Sequence, residues 1–552
     1  MLVNCLKGKY FIYKREEKAE AKFKTELSKL IIDEYGRGPF HKKCIVNEII
    51  TFALNYYITK FKEICHNEKS VQFYQNIFRF HEQATELVYL YPHKDISSDI
   101  NSKYIAQYRR TLKFILEMGC EVQMVTRKVT SEEIQERTEH ILDDLLFLGE
   151  MILMSVNLYA EQIMIDDAIH ISFDKHGLYV FSRQSCYESL FEYFIRECSS
   201  HLEESVIDEK GLEDLKEALR KYFKIEYENV QSLIACIHEE NEPKGGEVVG
   251  VGWETLPNNL HDLFKVPLTR AEQFFTGLRL DRSNKMDLVN LACKPYKLNR
   301  YLYRPIIIWN IDGRDYALFG KNSWGEAFTQ YVNNAIPWGK APQEWMEDDG
   351  FKKYVHTKEN EHDKWLEDAV EKILQNQKLL YDRNVKSLKS SKGSVNIDVK
   401  GVGEVDFIIV AEEVKKIYIS DCKHLLGRYD LVDQKNDYNV FAVGTKKNKS
   451  YNETMSNKLV WFNKMKDLVQ EHFRIKYNNP NFCLDGYSFE GIFIVNTPTF
   501  YMYNAEYRIY TITQIEKVVI GKFTDPTFVF VIEEDGYQKR LCIKYPYFQK
   551  PT

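Results

Sequence analysis

The chain has 552 residues, more than one hydrophobic core accommodates, and a domain size of roughly 150 residues predicts two to four domains. Hydrophobic residues make up 44 % and charged residues 28 %, the balance of a globular protein. Lys and Arg number 75 against 81 Asp and Glu, a net charge of −6, so the chain is not a polycation and any nucleic-acid contact has to come from a local basic face.

The N-terminus, MLVNCLKGKYFIYKREEK, has no long apolar stretch before a small-residue cleavage site, so no signal peptide is expected. The 11 Cys lie scattered from Cys5 to Cys542 without a C-x-x-C pair, a pattern of reduced cytosolic thiols rather than of a zinc ribbon. Up to about residue 240 the pattern is mainly helical. EEKAEAKFKTELSKLIIDEYG ends on Gly36 as a C-cap. NEIITFALNYYITKFKEIC has apolar residues at helical spacing, and TSEEIQERTEHILDDLLFLGEMILM opens with Thr130 and Glu133 in capping-box register. The most apolar run, Leu145–Ala160, contains Glu150 and Asn157 and is shorter than the roughly 20 residues that span a bilayer. It is expected as a core helix of a soluble, cytoplasmic protein with no membrane partner. Ile171–Phe181 alternates and turns at His176-Gly177, a hairpin, and GLEDLKEALRKYFKIEYENVQSLIACI is a further amphipathic helix.

The Gly- and Pro-containing stretch Glu239–Asn259 reads as a linker and carries no phosphate-binding glycine motif. The expected division is a helical domain over 1–240, serving recognition, regulation or oligomerisation, then a linker with a small mixed segment over 241–350, then a domain over 351–552. In the middle segment YRPIIIWNIDGRDYALFG is a hairpin with Asp312-Gly313 at the turn. EHDKWLEDAVEKILQNQKLLYDRN is a helix whose Trp365, Leu366, Ala369, Val370, Ile373 and Leu374 form one apolar stripe. After Asn384 strands dominate: VGEVDFIIV and KKIYISDCK, joined by AEEV, then a polar stretch, a helix within NETMSNKLVWFNKMKDLVQEHFRI and the buried strand FEGIFIVN. YRIYTITQIEKVV and the hairpin TFVFVIEEDGYQKRLCIKY follow.

The strand pair carries charge where apolar residues cost less. Side chains alternate faces along a strand, so Asp421 and Lys423 share a face with Ile417 and Ile419, and a hairpin brings Asp406 alongside Asp421. Two carboxylates about 4 Å apart repel by about 4 kcal/mol at an effective dielectric near 20, and a divalent cation between them reverses the sign. A lysine beside them acts on an attacking water or on charge building at a phosphate.

With EVD at Glu404–Asp406 and DCK at Asp421–Lys423 on adjacent strands, the sequence over roughly residues 360–500 resembles the PD-(D/E)xK nuclease superfamily. Val405 stands where the family pattern has proline. With the helical pattern up to about residue 240, the expected fold class is an α+β multidomain protein: a mostly helical N-terminal region followed by what the resemblance implies, a restriction-endonuclease-like α/β core with a mixed central sheet. The resemblance also implies that Asp406 and Asp421 ligate Mg²⁺, with Mn²⁺ able to substitute, that Lys423 serves the water, and that Glu367 on the preceding helix assists as a further ligand, with Glu371 its alternative and Glu404 a weaker candidate. DNA is the substrate the family implies; the architecture, a nuclease joined to a large region without motifs, suggests a role in bacterial restriction or phage defence. The basic runs Arg383–Lys400 and Gly444–Lys458 flank the site, and Lys446, Lys447, Lys449 and Lys458 are candidate phosphate contacts. Lys458 is alternatively a residue that faces the site. Gln434, after the D-x-K strand, and His424, on the face opposite Lys423, are read as structural. The rival readings are a catalytically silent nucleic-acid-binding scaffold with the same fold, and a helical interaction protein. A homo-oligomer or a partner protein is expected through the helical region.

Overall fold

The structure, a computed structural model, describes residues 2–5, 9–90, 100, 102–127, 130–165, 169–183, 193–194, 196–197, 209–241, 248–397, 401–427, 431–446, 448–525, 527–534 and 537–544. It is α+β, with its helices mainly in the N-terminal part and with mixed sheets. Among the described residues no helix is long and apolar enough to cross a membrane. The chain forms two compact units: Met1–Tyr159, His170–Phe181 and Val206–Asn360 make the first, and Ala160–Ile169, Ser182–Ser205 and Glu361–Thr552 the second.

The first unit contains the long amphipathic helices expected from the sequence, with caps that follow the side-chain chemistry. Helix Lys18–Tyr35 stops at Gly36, whose φ of 85° suits a residue without Cβ. At the start of Ser131–Met164 the Glu133 carboxylate accepts from the Thr130 N–H, and the Glu133 N–H donates to Thr130 Oγ1. The expected division differs from the observed one in the middle segment. Residues 248–350 are built into the first unit, where strands run in the order Gln123–Met124, Ile306–Ile311, Arg314–Gly320, Val248–Gly252. The Ile306–Ile311 and Arg314–Gly320 hairpin turns through Asp312 and Gly313, both at positive φ (49° and 82°). Polar contacts tie the helices of this unit to their neighbours: the buried Arg300 Nε donates to Glu117 Oε1 at 2.9 Å, and the half-buried Asn322 N–H donates to Glu82 at 2.7 Å.

The second unit is a five-stranded sheet with helices on both faces. Its elements are α1 (Asp349–Asn376, of which residues from Glu361 onward belong here), β1 (Leu380–Val385), β2 (Val405–Ala411), β3 (Lys416–Lys423), α2 (Leu431–Tyr438), α3 (Tyr451–Lys464), α4 (Lys466–Lys476), β4 (Ser488–Val495), β5 (Arg508–Thr511) and α5 (Ile512–Val519). The strand order is β1-β2-β3-β4-β5; the first two pairings are antiparallel and the last two parallel. A tight turn at Lys415 (φ 53°) joins β2 to β3, while helices separate β3 from β4, as a parallel crossover requires.

Three elements depart from the expected ones. The helix ends at Asn376, and LYDRNV forms the edge strand β1 instead of its last turns. The expected single helix after the polar stretch breaks at Met465 into α3 and α4. The polar stretch itself holds α2, whose buried face is made by Val432, Asp433, Gln434 and Asp437 rather than by an apolar stripe. One face of the sheet packs Phe407, Ile409, Tyr418, Ile492 and Ile494 against Leu366, Val370 and Leu374 of α1 and against Ile515 and Val519 of α5. Trp365 stands outside that stripe, 50 % exposed.

Candidate functional site

The pairing Phe407↔Ser420 continues to place Asp406 opposite Asp421, so both project from the face that carries Ile419 and Ile417. Asp421 is only 4 % exposed. Its Oδ2 lies 3.6 Å from Lys423 Nζ, and its Oδ1 accepts from Lys458 Nζ at 2.6 Å. Lys458 reaches it from α3, which rests on β4 at Gly491, where only a residue without Cβ fits beneath Met455. The Lys458 ammonium also donates to the Glu404 carbonyl at 2.6 Å. Asp406 accepts from the Cys422 N–H at 2.7 Å, a bond that fixes its carboxylate across the β2–β3 pair.

The electrostatics follow from this burial. Desolvation is the largest effect on Asp406; Lys423 opposes it, Asp421 reinforces it, and the carboxyl is pushed up to about 6. Burial works against the charge of Lys423, but Asp421 and Asp406 outweigh it and hold the ammonium above its ordinary value. Its Nζ also sits 4.9 Å from the centre of the Tyr451 ring. Lys423 is therefore a fixed cation, suited to stabilising negative charge and unsuited to taking a proton.

Glu367 is placed differently from the expectation that it joins the other two carboxylates. Its carboxylate is held by Arg383 of β1 at 3.1 Å, and Arg383 also binds Asp368 and Glu371 at 2.6 Å each. Arg383 pairs with Phe407, so this clamp lies on the α1 face of the sheet. Glu367 still raises the Asp406 carboxyl through its charge. Glu371 accepts in addition from the Tyr381 hydroxyl at 2.9 Å, and Glu404 pairs with Lys386 at 3.3 Å.

The candidate phosphate contacts separate. Lys458 is 3 % exposed and belongs to the carboxylate site, so the reading of it as a surface phosphate contact is replaced by its other reading, a residue facing the site. Lys446 and Lys449 are exposed, Lys449 pairing with Glu453 one turn on at 2.6 Å. Lys447 lies outside the described residues. Gln434 is structural, its Oε1 accepting from the Phe500 N–H at 2.9 Å. The other basic run forms a hairpin, Ser387–Ser390 with Gly393–Asn396, not a loop. The Lys389 N–H donates to His472 Nδ1, and His472 Nε2 in turn meets Asp382 at 2.8 Å, which anchors the hairpin to α4.

His424 lies on the face opposite Lys423, as alternation requires, and stacks on His362 of α1. Desolvation lowers His424 to about 4 and His362 to about 3, so both rings are neutral near pH 7. A carboxylate pair backed by one buried and one half-buried ammonium group can hold one hard cation and a phosphate. Lys458 had one signal in the sequence, its place on the helix after the D-x-K strand; its partner could not be read there. Comparison of the chain with protein-family models, with characterised proteins and with solved structures finds no match.

Proposed function

We propose that the second unit is a metal-dependent nuclease domain that hydrolyses phosphodiester bonds, with DNA as its substrate. The observation that carries this reading is that Asp406 and Asp421 lie opposite each other on one face of adjacent strands, with the Lys423 ammonium 3.6 Å from Asp421 on the same side. The order of elements agrees with the resemblance: a helix bearing Glu367, a strand bearing Asp406, a strand bearing D-x-K, helices, and a parallel strand.

The donor set fits Mg²⁺. Both ligands are hard carboxylate oxygens on one face of adjacent strands, the oxygen donors that Mg²⁺ takes. Mg²⁺, when bound, polarises the phosphoryl oxygen and eases deprotonation of water. The chain's own groups do the rest. Asp406 and Asp421 fix the position of the cation, and the Cys422 N–H fixes Asp406. Lys458 holds Asp421 in one orientation while occupying one of its oxygens. Lys423 meets the charge that builds on the phosphoryl oxygens as water adds to phosphorus and the bond to the leaving oxygen breaks. The exposed Lys446 and Lys449, near the start of the helix that carries Tyr451, and the basic hairpin supply the local cationic surface that a net charge of −6 withholds overall.

The test is incubation of the purified full chain with linear and circular DNA, single-stranded DNA and RNA, in Mg²⁺, in Mn²⁺ and in chelator. Cleavage that requires the metal is expected. Lys423→Ala is expected to lower the rate by about 10²–10³ with folding intact, because its charge acts on the way to the transition state. Extra metal is expected not to rescue it, whereas Asp421→Asn, which removes a ligand, is expected to regain activity in excess metal. Parent-like cleavage by both variants in every metal places the activity elsewhere.

A further inference from the structure

On the face of the sheet opposite Asp421, the chain leaves β3 through His424 and meets helix α1. The His424 and His362 rings stack with centroids 3.5 Å apart and planes 19° from parallel. Trp365 closes one side, its ring 5.8 Å from His424. His424 Nδ1 lies 3.1 Å from the His362 carbonyl oxygen. A carbonyl only accepts, so Nδ1 carries the proton and the lone pair of this ring is on Nε2. One donor atom from each of His362, Asp363 and His424 lies within 4.8 Å of the others, and Asp363 is on the exposed side.

We propose that His362, Asp363 and His424 bind a divalent transition-metal ion of the zinc class, at a site separate from the Asp406–Asp421 pair. Two imidazoles and one carboxylate are a borderline-soft donor set that suits Zn²⁺ and discriminates against Mg²⁺, which takes oxygen donors. Ligands about 2.1 Å from a tetrahedral ion stand about 3.4 Å apart, so donor atoms now within 4.8 Å of one another close in by up to about 1.4 Å and the stacked rings fan open on binding. Asp363, exposed, and the solvent side of the cluster give them room, and water takes the fourth position. The carbonyl that accepts from His424 Nδ1 is the outer partner that a ligating histidine needs to fix its tautomer and orientation. The ion fastens the strand end that follows Lys423 to the helix that carries Glu367.

Equilibrium dialysis of the full chain against Zn²⁺ and against Co²⁺, with metal content and the Co²⁺ visible spectrum as readouts, tests this. One equivalent of Zn²⁺ is expected on the parent and on Asp421→Asn alike, undiminished by a large excess of Mg²⁺. His424→Gln and Asp363→Asn are expected to bind it at least about tenfold more weakly and to lose the Co²⁺ bands. Asp363→Asn changes an exposed position, and circular dichroism checks the fold of both variants. Retention of Zn²⁺ by both, or no Zn²⁺ on the parent at micromolar free ion, overturns the proposal. Loss of Zn²⁺ from Asp421→Asn overturns its separateness. None of these readouts involves phosphodiester cleavage, so failure here leaves the nuclease reading standing, and the reverse holds as well.

Discussion

Asp406 is held where its charge is unfavourable. Burial, strengthened by Asp421, sets its folded value at about 6 against an ordinary 3.8. The folded state therefore binds this proton more tightly than the unfolded chain does, and stability falls as pH rises from about 4 through about 6. Asp406→Asn mimics the protonated form and keeps an oxygen for the Cys422 N–H. In chelator at pH 8 it is expected to be more stable than the parent by about 2–3 kcal/mol, the gain closing below pH 4. Urea denaturation at the two pH values measures this; an equal gain at both would show that Asp406 is not the group that titrates. Lys458 makes the opposite case, since its 4 % exposed side chain meets a 6 % exposed Asp421. Lys458→Met leaves Asp421 with Lys423 alone and is expected to cost about 3 kcal/mol. Asp421→Asn with Lys458→Met removes both charges and is expected to recover much of that loss. A double-mutant cycle with a coupling near zero would show that the pair contributes nothing.

At the scale of elements, the site depends on how closely α3 lies on β4. A Cβ built on Gly491 would come within 2.7 Å of Met455 Cγ and Sδ and 3.0 Å of Leu459. Gly491→Val is expected to push α3 outward, destabilise by about 1–3 kcal/mol and draw Lys458 away from Asp421. Denaturation and Mg²⁺ titration check the two consequences separately. Parent-like values in both would mean that α3 tolerates the added methyls without moving. The hairpin after β1 is a second such element: its attachment rests on the chain of bonds from Lys389 through His472 to Asp382, so its position is set by α4 rather than by its own sequence.

At the scale of the molecule, the first unit is not divided where its Gly- and Pro-containing stretch suggests. Residues on either side of Asn241 and Val248 are joined by the buried Glu117–Arg300 pair, by Glu82 with the backbone of Asn322 and Ser323, and by the pairing of Gln123–Met124 with Ile306–Ile311. A proteolytic cut between Asn241 and Val248 is therefore expected to leave two fragments that elute together under native conditions and separate in denaturant. Glu117→Ala strands the Arg300 guanidinium, 5 % exposed, in the core and is expected to cost about 3–5 kcal/mol and to release the fragments. Native gel filtration of nicked protein is the measurement, and free fragments from the nicked parent would restore a boundary at that stretch.

Local patterns were decided by the sequence. The C-cap at Gly36, the Thr130–Glu133 box, the Asp312-Gly313 turn, the Leu366, Val370, Leu374 stripe and the shared face of Asp421 and Lys423 all depend on neighbours within a few residues, and period and cap chemistry are visible at that range. Tertiary structure decided the rest. LYDRNV has no clean alternation and becomes a strand because β2 offers it an edge. Helix α2 buries polar side chains, which no apolar stripe announces. The commitment of Glu367 to Arg383, the burial of Lys458 against Asp421 and the meeting of His424 with His362 join residues 16, 37 and 62 positions apart. A charge's partner is set by which faces pack together, and packing is a property of the folded sheet and its helices, not of any window of the chain.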